Sequence, residues 1–132
     1  MIGVPHVVGF VDDADNVEHL DAIGRAIRND AQLHPAGANV NLVHRINEST
    51  IRMRTYERGV EAETLACGTG AVCSAVAAHR HGLVQQPVTV RVSSGMHLVV
   101  TWQEHGDHIS DVRLSGTTRI VARGTIEPEA IM

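Results

Sequence analysis

Apolar residues recur along this chain with two periods, and one stretch is apolar almost throughout. Period two marks strands: Val7 to Val11 is a short β-rich run, and Asn39 to Val43 and Ile51 to Tyr56 alternate polar with apolar around an Asn47-Glu48-Ser49 turn, a hairpin pattern. Val88 to Val92, His97 to Trp102 and Ile109 to Leu114 continue it, with Ser93-Ser94-Gly95 and Glu104-His105-Gly106-Asp107 as turns. Arg119 to Ile126 reads as a last strand. The helical period links Val17, Leu20, Ile23, Ala26 and Ile27, which predicts an amphipathic helix over 17–28, capped by Asp15 or Asn16, on the outside of a sheet. Asn29 to Gly37, holding Pro35, is a loop.

The stretch without a period is Ala71 to Ala78, where Ser74 is the polar break. A helix apolar nearly all round is buried, and its small residues suit a place crowded by strands. His79, Arg80 and His81 complement the negative end of its dipole, and Gly82 is the expected stop. The fold class is therefore α+β: about seven strands in a sheet around one central buried helix, plus one outer helix, in a single domain over 1–132.

Candidate chemistry gathers where that helix begins. Thr64-Leu65-Ala66-Cys67-Gly68-Thr69-Gly70 runs directly into it. The first backbone N–H groups of a helix have no intrahelical partner and lie at the positive end of the macrodipole, so an anion is favoured there. Gly68 and Gly70 let a carboxylate approach the backbone, and the Thr69 hydroxyl adds a donor. Cys67 stands in the same field, which favours a thiolate, the form that can take up a proton.

Composition narrows the class. The chain has 132 residues, 43% hydrophobic, with one Trp, one Tyr and one Phe, so the core is built from Val, Ile, Leu and Ala. All 11 basic residues are Arg, against 15 acids and a net charge of −4, and no basic run tracks a phosphate backbone; no nucleic-acid partner is expected. No apolar run reaches 18 residues and no charged-plus-apolar leader opens the chain, so no membrane association and a cytoplasmic location are expected. Cys67 and Cys73, six apart on one helix, point to different sides, which fits reduced thiols. Nine His raise a metal reading, but His79 with His81 and His105 with His108 lack i,i+4 spacing and a third ligand; no metal is expected.

Taken together, Gly3-Val4-Pro5-His6, Gly37-Ala38-Asn39-Val40-Asn41, Tyr56-Glu57-Arg58-Gly59, Glu63 to Gly70 and Leu114-Ser115-Gly116 resemble the C-terminal half of diaminopimelate epimerase in order and spacing. The resemblance implies cofactor-free epimerisation of an amino acid at its α-carbon by two cysteines on opposite faces, one a thiolate base and the other a thiol acid. Cys67 matches the cysteine of the family's second lobe, and Gly68, Thr69 and Gly70 match donors to the substrate's α-carboxylate. His6 and Glu57 match side chains that tune or relay protons, and Asn39 and Arg58 match residues that recognise the distal end. Asn39 and Asn41 are read as pointing to opposite faces of one strand, so at most one is expected to reach a ligand. The implied fold is a barrel-like, antiparallel or mixed sheet around a central helix, one of two similar lobes.

The departures are equally specific. The N-terminal lobe with the partner cysteine is expected to be missing, and Cys73, nearly two turns into the helix, is expected to face the core. Val4 stands where many members have Asn, and Gly116-Thr117-Thr118-Arg119 replaces a commoner Gly-Pro-Ala run. The expected partners are thus an amino-acid substrate and the missing lobe, with a homodimer of face-to-face copies as the alternative; the lone chain is expected to be inactive. A proline-racemase-like lobe and a non-catalytic anion-binding module are the competing functions.

Overall fold

The structure is a computed structural model that describes residues 3–131. Strand β1 is His6–Phe10, followed by helix α1, Leu20–Arg28, and a short 3-10 turn, Ala31–Leu33. Strands β2, Asn39–Asn47, and β3, Thr50–Glu57, form the expected hairpin; β4 is Ala62–Thr64 and helix α2 is Gly68–Arg80. Strands β5, Val88–Arg91, β6, His97–His105, and β7, His108–Gly116, precede a final 3-10 turn, Pro128–Ile131. None of the helices among the described residues is long and apolar enough to cross a membrane.

The strands form one mixed sheet in the order β1-β2-β3-β5-β6-β7, with β4 beside the end of β3. The β1–β2 and β3–β5 pairs are parallel, and the others are antiparallel. The sheet curls around α2, which packs on β1, β2, β3, β5, β6 and β7 in turn. Ala71, Ala75 and Ala78 of α2 meet Val43, Ile51, Met53, Val88, Val90 and Val100 in the core. Small helix residues are what this geometry requires, because strands approach α2 from several sides and β-branched side chains fill the remaining space. Each buried Val or Ile contributes about 1.5–3 kcal/mol.

α2 ends as its sequence predicts. Gly82 takes φ 70°, its N–H bonds His79 O at 2.8 Å, and the Leu83 N–H bonds Ala78 O at 2.9 Å, a Schellman closure. On the other face of the sheet, α1 covers Tyr56 and packs on β2, β3 and β4.

Three expectations change. First, α1 begins at Leu20, with His19 in a left-handed conformation and no side-chain cap. Asp15 cannot cap it, because its carboxylate takes Arg52 Nε at 2.7 Å and Arg91 Nη2 at 2.9 Å. The carbonyls of Ala14 and Val17 are drawn to Arg54 Nη1. Secondly, Arg119 to Ile126 forms no strand: it is exposed and pairs with none of the described strands. Thirdly, the seventh strand is instead the unforeseen β4, three residues long, which leads into Cys67.

Candidate active site

Cys67 is the N-cap of α2, in extended conformation, and its Sγ accepts the Gly70 N–H at 3.4 Å. Cys67 is 7% exposed, and its sulfur lies 3.6 Å from Thr69 Oγ1. The backbone N–H groups of Gly68 and Thr69 meet no acceptor among the described residues, whereas that of Gly70 is committed to the sulfur. Of the three expected carboxylate donors, two are therefore open. Gly70 is required for another reason: a Cβ there would lie 2.5 Å from Asn41 Oδ1 and 3.2 Å from Cys67 Sγ.

From Thr69 the network continues to β1. His6 Nε2 is 3.0 Å from Thr69 Oγ1, and His6 Nδ1 is 3.0 Å from Asn41 Nδ2. Asn41 also donates to Val7 O at 3.3 Å and accepts from Thr55 Oγ1 at 2.9 Å. Burial pushes the His6 imidazole below its ordinary titration range, and the opposing charge of Glu57 only partly restores it. Neutral imidazole is the form that fits.

Glu57, at the end of β3, accepts from Thr64 Oγ1 at 3.0 Å. β4 runs antiparallel beside it, so the Glu57-Arg58-Gly59 turn and the Cys67 helix start come together through a strand pairing. Arg58 is placed less centrally: its Nη1 donates to Ala36 O at 2.7 Å, while Nε and Nη2 have no partner among the described residues. Asn39 accepts the Arg58 N–H at 2.7 Å, which leaves its Nδ2 as the group able to face a ligand. The expectation that Asn39 and Asn41 face opposite ways does not hold: two apart in β2, they share one face, because side chains alternate along a strand, and both are buried. Asn41, weighed from the sequence only as the alternative to Asn39, joins the network, and Thr55 and Thr64 are members that sequence reasoning missed.

Cys73 departs from expectation. It is half-buried rather than part of the core, and lines a groove of about 450 Å³ with His6, Val8, Val76, Ala77 and Ile109. The groove is the seam where β1 and β7, the two ends of the strand order, leave α2 uncovered. Burial, and then the neighbouring Cys67, push the Cys73 thiol up, so it stays protonated. Both cysteines are free.

As for metal ligands, Asp13, Asp15 and His44 lie close together. Asp15 is already neutralised by Arg52 and Arg91, and His44 Nδ1 accepts the Ala14 N–H at 2.8 Å. His79 is engaged too: Nδ1 is 3.0 Å from Val84 O and Nε2 is 3.0 Å from Glu104 Oε1.

Fold and site define the class together: a lobe made of a sheet curled around one helix, with a thiol at the helix start. A Bacillus anthracis phenazine biosynthesis protein of the PhzF family shares this fold, with a TM-score of 0.54 and 20% identity over 83% of this chain and 33% of that one. The chain belongs to the diaminopimelate epimerase family, whose model matches residues 1–126. It is 43% identical over 130 residues to diaminopimelate epimerase of Aquifex aeolicus, covering 98% of this chain and 45% of the relative. The corresponding protein of Chlorobaculum tepidum is 42% identical over 125 residues, 94% of this chain and 47% of the relative. The chain thus spans about half the length of these relatives.

Proposed function

We propose that this chain is the lobe of a two-lobed diaminopimelate epimerase that carries one of its two proton-transfer groups, Cys67. The observation that carries the reading is the position of the sulfur, which caps a buried helix beside two open backbone donors and ends a hydrogen-bonded run from His6. The α-carboxylate of an amino acid sits against the Gly68 and Thr69 N–H groups, where the helix dipole also stabilises negative charge that spreads onto it as the α-proton leaves. The Cys67 thiolate takes that proton from one face of the α-carbon, and a thiol of the second lobe delivers one to the other face. The sulfur leaves the cycle protonated and its partner deprotonated, which is the starting state for the reverse direction. In this reading Glu57 tunes the proton transfer, and the amide nitrogen of Asn39 and the guanidinium nitrogens of Arg58 without partners among the described residues serve the distal amino-carboxylate.

One lobe supplies one suitable thiol, so the second lobe is the partner of this reading. Leu65, 70% exposed, and Leu114, which lies over Gly68, give the site an apolar rim for it. The two free cysteines suit the reducing cytoplasm. The test is exchange of the α-hydrogen of diaminopimelate for deuterium in the assembled two-lobed protein. Replacement Cys67→Ser is expected to slow exchange by at least about 10²–10⁴-fold, the usual contribution of a positioned acid or base; exchange within a few fold of the parent would overturn the assignment.

A further inference from the structure

Resting on the reading of Cys67 as the reacting thiol, we infer that Asn41 is a positioning residue that fixes His6 in its Nε2–H tautomer and thereby aims the Thr69 hydroxyl proton at the Cys67 sulfur. The argument is one of donor inventory. Val7 O can only accept, so the Asn41 atom 3.3 Å from it is the amide NH₂ and not the carbonyl. The Asn41 oxygen is then the atom that receives the Thr55 hydroxyl at 2.9 Å, a group that can serve as the donor this orientation needs. That same NH₂ faces His6 Nδ1 at 3.0 Å, and two donors cannot face each other, so Nδ1 carries no proton. A neutral ring must then hold its proton on Nε2, which donates to Thr69 Oγ1 at 3.0 Å. With that oxygen occupied as an acceptor, its own hydrogen is free to turn to Cys67 Sγ, 3.6 Å away.

Every direction in this run is set by one backbone carbonyl, and every donor points toward the sulfur. Sγ receives the Thr69 hydroxyl beside the Gly70 N–H, two donors for an atom that must act as an acceptor. Asn41 is wholly buried, away from any substrate, and its amide nitrogen faces His6, so it acts through His6. Packing enforces the placement, since the Asn41 oxygen lies against Gly70 where a Cβ would collide.

The ¹⁵N chemical shifts of the His6 ring in the 132-residue chain test this without any assay of activity, so they stand or fall apart from the proposed reaction. The expected spectrum shows Nε2 protonated and Nδ1 bare; the opposite tautomer overturns the inference. In Asn41→Asp the acceptor-only carboxylate draws the proton to Nδ1, the Thr69 hydroxyl turns to Nε2, and Cys67 loses a donor. Alkylation of Cys67 in a Cys73→Ser background is then expected to slow by about tenfold, the worth of one hydrogen bond to a charged atom. A moved tautomer with an unchanged rate would break the link to Cys67. Should Asn41→Asp not fold, Thr69→Val at the exposed helix start tests the same link: His6 keeps its Nε2–H tautomer and alkylation slows by the same factor, and an unchanged rate refutes the relay.

Discussion

At the scale of single residues the two cysteines separate by environment rather than by distance along the chain. Cys67 receives donors at a helix start, whereas Cys73 lines an apolar groove that keeps it a thiol. In the assembled protein Cys73→Ser is therefore expected to retain most of the α-hydrogen exchange that Cys67→Ser abolishes; comparable losses from both would contradict the site. His6 gives a second prediction. Its folded-state titration lies below the ordinary value of about 6.5, so above that pH both folded and unfolded states hold it neutral. As the pH falls through that value the unfolded chain binds the proton first, and stability drops until the folded form is protonated too. Urea midpoints measured on either side of it should show this loss, and His6→Gln should reduce its size.

At the scale of elements, close backbone approach decides more than propensity. A Cβ on Gly24 would meet the Tyr56 ring under α1, and one on Gly70 would meet Asn41. Alanine favours a helix over glycine by about 1 kcal/mol, whereas overpacking a buried contact costs about 1–3 kcal/mol. Both Gly24→Ala and Gly70→Ala are expected to lower stability, as read from urea denaturation, and only Gly70→Ala to slow Cys67 alkylation as well. The start of α1 offers a separate check. For Asp15, burial works against ionisation, but its hydrogen bond to Arg52 and the charges of Arg52, Arg91 and His44 outweigh it and hold the carboxyl below the usual range. That stability is present above the unfolded carboxyl value of about 3.9 and is lost as the pH falls through the folded one. Asp15→Asn removes the acid-sensitive share and frees the buried Arg52; the gap in unfolding midpoint between parent and variant should be full at pH 7 and narrow as the pH is taken below about 3.9.

At the scale of the whole molecule, the stretch after β7 stands apart from the core. Residues 120–130 bury no side chain, and Ile120 and Val121 are 75% and 93% exposed. Trypsin is expected to cut after Arg119 and Arg123 first, and trimming there to shift unfolding by no more than about 0.5 kcal/mol, while the buried Arg52 stays protected. The isolated chain is expected to exchange no α-hydrogen, because it offers one suitable thiol. Exchange that rises steeply with concentration would mean that two copies pair and lend each other Cys67; exchange independent of concentration would overturn the requirement for a second lobe.

The α2 start, its glycine stop and six of the seven strands were legible in the sequence because their signals are local. Hydrophobic period, turn residues and the Cys67-Gly68-Thr69-Gly70 run act within a few residues of chain. The same holds for His6, Glu57 and Asn39, which were readable as candidates through their motifs. What only the tertiary structure decided depends on partners distant in the chain. Arg119 to Ile126 has the pattern of a strand, but a strand needs a neighbour for its backbone groups, and none of the described strands offers one. Asp15 has the chemistry of a helix cap, but Arg52 and Arg91 reach it first. Asn41 is one more polar residue in β2 until folding sets it between Val7, Thr55 and His6, 14 to 35 residues away. Local sequence fixes which groups can donate or accept; only contact across the fold fixes which of them meet.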